Sequence, residues 1–521
     1  MTSIGIACVQ LEARGLESAE EALERALERV EEAGRYQPAI ILLPECTYPA
    51  YYLHSLEAYR RSEPRSTEDV LRLFGEKARR HRTYIAVGLA RPTSSGRLRN
   101  SIAFLSPKGE VLGLYDKIFL WHFDHEWFEP GSDLPIFDLP FGRVGLMICA
   151  DGRMPEIPRA LALQGARLIL DATALVTSIG DPRARTNPQV LYMLPARAME
   201  NGVWIAVANK VGMEAGSVLY CGRSGVIAPD GQYRAMGSPD REEIVLAEID
   251  LGTAPGPRVR PAESDPLLMA SVEELPVARE LRKPIPPDAL YLRVGLLQMG
   301  AYSTTADWMQ RIEALGEILI RQGASLLVIS GPPPGPDSAL EALEALSARW
   351  QCGLVVPLLE EREKGPARVA LHLLDSGRRI GVYRGSGQKG SPVYPISGGT
   401  IGVLSESEGW APEVARGAML RGAELLVWWV SAAGPDLHTL ARARADENRV
   451  FVALVAPPGE AAGVASAVFD PLGQPLATGV PGAEHGILVS LFRPLTRHKE
   501  MAPGSHVVFS RRPEAFSGLL R

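Results

Sequence analysis

Three residues in the first half of the chain have the types and positions that nucleophilic catalysis needs. Cys149 closes an apolar run, Val144 to Ile148, and precedes the turn Ala150-Asp-Gly152, with a helix opening near Pro155. A thiol on such a strand-to-helix elbow is accessible, and nearby backbone N–H groups favour a thiolate and a developing oxyanion. Glu45 ends a second apolar run directly after Pro44, as a base at the carboxyl end of a neighbouring strand would. Lys117 follows the run Val111 to Tyr115 and is one of only eight lysines, the rest of the 55 basic residues being arginine. A lysine lends a compact positive charge to an oxyanion and titrates if desolvated. Taken singly, each residue has a structural explanation as well: a small buried hydrophobe, a helix-start carboxylate and a solvated loop charge.

These residues have to be positioned by strands. Ile4 to Val9 predicts a short buried strand and Leu16 to Ala33 an amphipathic helix, followed by a second strand over Ala39 to Leu43. That succession is the pattern of an α/β layer. Further strands are expected at Thr83 to Gly88, Ile102 to Leu105, Val111 to Tyr115, Val144 to Cys149, Arg167 to Leu170, Val203 to Ala208 and Ile244 to Ile249. Helices are expected over Thr67 to His81, Pro155 to Gln164 and Gln189 to Glu200.

Composition sets outer bounds. The chain has 521 residues, 46% hydrophobic and 22% charged, with a mean hydropathy of +0.00. This is a globular composition, and at roughly 150 residues per domain it implies two to four domains. The formal charge of −6 provides no basic field for nucleic acid. Five scattered cysteines, Cys8, Cys46, Cys149, Cys221 and Cys352, do not form a disulfide framework and fit a reducing compartment. The first residues lack the basic start of a secretory signal, and the apolar runs fall short of the ~20 residues of a membrane helix. The expectation is a cytoplasmic protein without membrane or nucleic-acid partners.

After a stretch rich in proline, residues 252–290, the chain repeats itself. Leu292-Arg-Val-Gly-Leu-Leu-Gln298 echoes Ile4-Gly-Ile-Ala-Cys-Val-Gln10, and Gly381-Val-Tyr383 echoes Gly113-Leu-Tyr115. Ile401 to Glu413 echoes Val144 to Glu156, and Glu447-Asn-Arg-Val-Phe451 echoes Glu200-Asn-Gly-Val-Trp204. The echoes are collinear, which indicates a duplicated domain. We therefore divide the chain into 1–251, a proline-rich linker or wrapping tail at 252–290, and a second copy at 291–521.

In order, Leu42-Leu-Pro-Glu45-Cys, Tyr115-Asp-Lys117-Ile and Gly145-Leu-Met-Ile-Cys149-Ala-Asp resemble the nitrilase superfamily of carbon–nitrogen hydrolases. Phe128-Glu-Pro-Gly131, Pro155-Glu156 and Ala198-Met-Glu-Asn201 add to the resemblance, which spans residues 1 to about 250. It implies an αββα sandwich, here two in tandem packed as an intramolecular pseudo-dimer. It also implies roles for the three residues: Cys149 as nucleophile, Glu45 as general base, and Lys117 with the Ala150 N–H as stabilisers of the developing charge. The family commonly carries a second Glu at the place of Asp124. Either Asp124 serves with a shorter reach, or Glu126 substitutes through a bulged loop. His122 and His125 beside these carboxylates do not complete a metal site, and neither a metal nor an organic cofactor is implied. Trp121, Phe123 and Trp127 either wall a pocket or pack a core. Tyr48, Tyr51 and Tyr52 are candidates for the substrate entrance. Arg153 either orients a substrate carboxylate or pairs with Glu156 or Asp151.

Aligning the copies sets Gly331 opposite Glu45, Gly385 opposite Lys117 and Glu406 opposite Cys149, with Lys389 four residues beyond its expected place. The second copy is therefore expected to be catalytically dead. Arg511-Arg-Pro-Glu-Ala-Phe516 resembles the family's C-terminal tail, which tends to reach across paired sandwiches. Further homo-oligomerisation is left open. The expected activity is hydrolysis of a small amide or N-carbamoyl compound. Alternatives are nitrile hydrolysis, acyl transfer to an amine and a non-enzymatic scaffold. Ala150-Asp151 after the nucleophile resembles the amidase and carbamoylase branches more than the Trp-Glu of nitrilases.

Overall fold

A computed structural model describes residues 3–178, 182–259, 265–335, 339–362, 367–385, 390–396, 398–431, 434, 436–459 and 465–520. The chain forms two compact units, residues 1–258 with 500–521, and residues 259–499. The proline-rich stretch thus falls mostly in the second unit, and the last segment belongs to the first.

In the first unit, one sheet runs Lys210–Val211, Ser3–Glu12, Ile40–Leu42, Tyr84–Pro92, Leu98–Leu105 and Val111–Asp116, with Glu243–Asp250 antiparallel to Ser3–Glu12. The other runs Tyr233–Met236, Gly225–Ile227, Trp204–Ala208, Leu168–Ala172, Gly142–Ile148 and Ile136–Leu139. The sheets meet face to face. Phe104 of one stands edge-on to Phe137 of the other at 5.1 Å, and Cys8 Sγ donates to the Gly225 carbonyl at 3.6 Å. The central strands are buried on both faces, which is why Ile4 to Val9 and Ala39 to Leu43 read as unbroken apolar runs.

Helices Ala19–Gly34 and Thr67–His81 cover the outer face of the first sheet. Leu23, Ala26, Val30 and Ala33 of one and Val70, Phe74 and Ala78 of the other join a single apolar cluster with Ala7, Val9 and Ile41. Their spacing of three and four residues is the helical stripe seen in the sequence. The second of these helices starts where Ser66 Oγ accepts the Asp69 N–H at 3.1 Å, a side-chain cap. Helices Glu156–Leu163 and Leu194–Asn201 cover the other sheet, so the layers are helix, sheet, sheet, helix.

The second unit repeats this plan. One sheet runs Arg378–Tyr383, Arg368–Asp375, Gly353–Glu360, Leu326–Ile329, Tyr291–Gln298 and His485–Phe492. The other runs Val393–Ile396, Gly399–Ser405, Leu425–Trp429, Phe451–Val455, Ala467–Phe469 and Pro475–Thr478. Both contribute to one apolar cluster that includes Val294, Val328, Val403 and Val427. Residues 265–290 form short turns rather than long elements and are tied down: Arg421 Nη2 donates to Asp265 Oδ1 at 2.9 Å, and Leu268 and Leu275 are buried. Among the described residues, no helix is long and apolar enough to cross a membrane.

Candidate active site

The ends of three strands in the first unit bring Glu45, Lys117 and Cys149 together. Glu45 lies just beyond Ile40–Leu42, and its backbone crosses the neighbouring strand so closely that a Cβ on Gly88 would lie 2.3 Å from the Pro44 carbonyl oxygen. Only glycine permits that approach. Lys117 follows Val111–Asp116, and its N–H is held by the Asn100 carbonyl at 2.8 Å. Cys149 follows Gly142–Ile148 at φ +51°, a left-handed conformation unusual for a residue with a side chain. Two side chains fix this elbow: Asp171 Oδ1 accepts the Cys149 N–H at 2.8 Å, and Gln189 Nε2 donates to its carbonyl at 2.7 Å.

Lys117 Nζ donates to Glu45 Oε1 and to Asp124 Oδ2, each at 2.7 Å, and all three side chains are wholly buried. Asn100 Nδ2 also donates to Glu45 Oε1, at 2.6 Å. Glu45 Oε2 has no partner among the described residues, which leaves it able to take a proton. Burial opposes the Lys117 charge, but Asp124 and Glu45 outweigh it and hold the ammonium well above its ordinary pKa. Burial pushes the Cys149 thiol the other way, up from its ordinary value, and the Glu45 charge adds to this. Lys117 and hydrogen bonding to Thr173 and the Ala174 N–H pull it back only in part. Burial and the neighbouring Glu45 charge thus oppose ionisation of the thiol, whereas the elbow's N–H groups taken alone favour it.

Asp124, not Glu126, joins this cluster. Asp124 begins the four-residue helix Asp124–Trp127, and its Oδ2 also accepts the Trp121 N–H at 2.9 Å. Glu126 lies in the same helix but is exposed and stands outside the buried cluster, so it does not take the place of the family's second carboxylate there. Tyr51 is buried with Lys117 Nζ 5.9 Å from its ring centre. A cavity of about 390 Å³ adjoins it, walled by Trp121, His122 and Phe123 on one side and by Thr177, Ser178 and Val218 on the other. Trp127 instead packs in a core with Cys46, Leu53 and Phe128. Tyr48 lies away from the cavity, in the cluster under the outer helices, where its hydroxyl donates to Glu20 and accepts from the Arg65 N–H. Ala150 is buried in the short turn Cys149–Arg153. Arg153 is buried too: its Nε donates to Gln189 at 3.1 Å, and its guanidinium lies 4.7 Å from the Trp121 ring. Among the described residues, no three His, Cys, Asp or Glu side chains are placed to hold a metal ion.

Several supports were not anticipated. Asp151 Oδ2 accepts from Tyr115 Oη at 2.7 Å and from the Ile148 N–H at 2.9 Å, and its Oδ1 accepts the Phe119 N–H at 2.8 Å. One carboxylate thus ties the Lys117 strand to the Cys149 elbow. Burial raises its pKa from 3.8 to about 6, against the pull of these donors. The stability this group contributes is therefore fully present below pH 3.8 and is lost as the pH rises through about 6. Because the Tyr115 hydroxyl favours the charged form, Tyr115→Phe is expected to cost about 1–2 kcal/mol, and more at pH 8 than at pH 5. Urea midpoints at the two pH values measure this. Glu214 is a second hidden support: its Oε1 accepts the N–H groups of Tyr51 and Tyr52 at 3.0 and 2.8 Å.

The fold and this cluster define a hydrolase with a buried cysteine, two carboxylates and a lysine, accompanied by a second sandwich of the same plan. The model of the family "Carbon-nitrogen hydrolase" matches two stretches, residues 5–255 and 293–493. The chain belongs to the carbon–nitrogen hydrolase family, with two tandem nitrilase-like domains, and is a C–N hydrolase. It is 33% identical over 250 residues to a nitrilase of Pyrococcus abyssi, covering 48% of this chain and 90% of that protein. It is 30% identical over 261 residues to the omega-amidase NIT2 of Bos taurus, again covering 48% and 90%. An amidase from Nesterenkonia sp. of known crystal structure is 26% identical, covers 47% of this chain and 90% of its own, and superposes with a TM-score of 0.41.

Proposed function

We propose that the first unit hydrolyses the C–N bond of a small amide or N-carbamoyl compound through a thioester on Cys149. The observation that carries this is the buried Glu45–Lys117–Asp124 cluster, electrostatically coupled to a thiol on a strained elbow, with Tyr51 linking Lys117 to a cavity of small-molecule size that it helps to line. Cys149 Sγ attacks the carbonyl carbon as Glu45 takes the thiol proton, so the nucleophile ionises only as it reacts. The C–N bond breaks when Glu45 returns that proton to the leaving nitrogen. Water, deprotonated by Glu45, then attacks the thioester, and the carboxylic or carbamic acid departs with the thiol restored. Lys117 Nζ and the Ala150 N–H supply positive charge where the oxyanion forms. Asp124 holds that ammonium in place. Arg153, already engaged by Gln189 and stacked on Trp121, braces the wall of the cavity. The Ala150-Asp151 sequence after the nucleophile favours amides over nitriles.

Ammonia release from a panel of aliphatic amides, ureido acids and nitriles tests this: amides or ureido acids are expected to be turned over, and release confined to nitriles contradicts the proposal. Asp124→Asn keeps the acceptor for the Trp121 N–H but removes a charge from Lys117. It should lower kcat about a hundredfold, whereas Glu126→Gln should stay within about twofold of the parent. Steady-state kinetics on folded variants separates the two.

We also infer that the second unit does no chemistry. Glu406 keeps the elbow, at φ +46°, without a thiol. At the Asp171 position stands Trp428, whose Nε1 donates to the Glu406 carbonyl at 2.9 Å. At the Glu45 position the Gly331 carbonyl accepts Trp308 Nε1 at 2.9 Å. Neither position carries a carboxylate. Gly385 replaces Lys117, and Lys389 lies outside the described residues. Glu406→Ala is expected to leave kcat within about twofold of the parent, since the residue touches no reacting group; a large loss in the folded variant would refute the inference.

A further inference from the structure

The first unit includes residues 500–521, and one of their side chains reaches the loop that leads to Asp124. Ser505 is wholly buried. Its hydroxyl donates to the Leu120 carbonyl at 3.0 Å and accepts the His122 N–H at 3.0 Å, across 385 and 383 residues of sequence. The gripped segment runs straight into Asp124, whose Oδ2 takes the intervening Trp121 N–H at 2.9 Å. Trp121, His122 and Phe123 are one wall of the cavity. The clamp is itself held. Glu500–Ala502 pairs with Ser505–His506 in a small hairpin, and Gly504 N–H donates to Glu500 at 2.7 Å; the segment then continues through Val507 and Val508, whose buried side chains make no hydrogen bond to the 120–124 loop.

We propose that Ser505 is a positioning residue of the active site, fixing the Leu120–Asp124 loop so that the cavity wall is set before substrate arrives. Preorganisation of this kind lowers the cost of binding. Turnover in the first unit then depends on a segment that the chain reaches only through the whole catalytically silent copy, which supplies a reason for keeping that copy. The proposal rests on the reading of the cavity as the amide pocket.

The test uses the full chain with three substitutions, Ser505→Ala, Ser505→Cys and Val508→Ala, and the amide the parent turns over best. Losing both hydrogen bonds should raise KM about tenfold in Ser505→Ala with kcat within about threefold, because the buried Lys117 pairs stay in place. Ser505→Cys keeps the volume with weaker bonds and should raise KM about threefold; it also decides the matter if Ser505→Ala does not fold. Val508→Ala loosens the same segment without touching the clamp and should leave KM unchanged. Hydrogen exchange of the peptide spanning 119–124 should quicken in the two Ser505 variants only. A KM within twofold of the parent with unchanged exchange overturns the proposal, as does an equal rise in Val508→Ala. If the parent turns over no amide, the proposed function fails, and the exchange data still decide whether the clamp orders the loop.

Discussion

Cys149→Ala is expected to abolish turnover, with kcat lower by on the order of ten-thousand-fold or more, in a protein that folds and melts like its parent. The size of the loss follows from the covalent route: with no sulfur there is no thioester, and the remaining lysine and backbone donors can only stabilise a rare direct attack by water. The mild effect on folding follows from the backbone. The elbow is held by Asp171 and Gln189 through the N–H and carbonyl of residue 149, which alanine keeps. Alanine also tolerates φ +51° no worse than cysteine does. Cys149→Gly should be equally inactive yet gain about 1 kcal/mol, because glycine adopts that conformation without strain. Ammonia release and thermal melting on the same preparations check both statements. Activity above a hundredth of the parent's in Cys149→Ala would place the nucleophile elsewhere.

Glu45→Gln is expected to be the next most damaging change, lowering kcat about a thousandfold. Glutamine fills the same space between Lys117 and Asn100 but accepts no proton, so both attack by the thiol and attack by water lose their base. Burial and the neighbouring charge raise the thiol's pKa, so its attack gains more from a base than that of a preformed thiolate would. A variant retaining a tenth of parental kcat would show that Cys149 ionises without help. Ultraviolet difference spectra at neutral pH give an independent check: the parent should lack the thiolate band that a self-ionised cysteine would show.

Much of this site was legible in the sequence because strand ends concentrate chemistry. A charged residue or a thiol that closes an apolar run is conspicuous, and Glu45, Lys117 and Cys149 each do so. The echoes between the copies were legible as words, but their meaning was not. Tyr115 and Tyr383 recur because each donates its hydroxyl to the carboxylate two residues past its own elbow, Asp151 in one unit and Glu408 in the other, at 2.7 Å in both. Glu200-Asn201 and Glu447-Asn448 recur because Arg197 and Arg444 bridge their neighbouring glutamate to the elbow carbonyl, that of Gly152 at 3.0 Å and that of Gly409 at 3.0 Å. These frameworks outlast the chemistry because removing one buried partner strands the others.

The rest was hidden for a physical reason. Asn100, Asp171, Gln189 and Glu214 are brought to the site by the order of strands, not by spacing along the chain. Only the polar close of the strand Leu168–Ala172, with Asp171 and Thr173 in an otherwise apolar run, could have signalled one of them. The choice between Asp124 and Glu126 turned on a four-residue helix too short to leave a periodic trace. Ser505 lies hundreds of residues from the loop it grips.

The central claim is that Cys149 carries the acyl group. Its most direct test is acid-quenched intact-mass and peptide-mapping spectrometry of the parent during turnover of an activated p-nitrophenyl ester, whose fast acylation lets the intermediate accumulate. The account predicts a single added acyl mass, removed by hydroxylamine and mapped to the peptide containing Cys149. Turnover with that peptide unmodified, or with the acyl group on Cys46, Cys221 or any residue of the second unit, would contradict it.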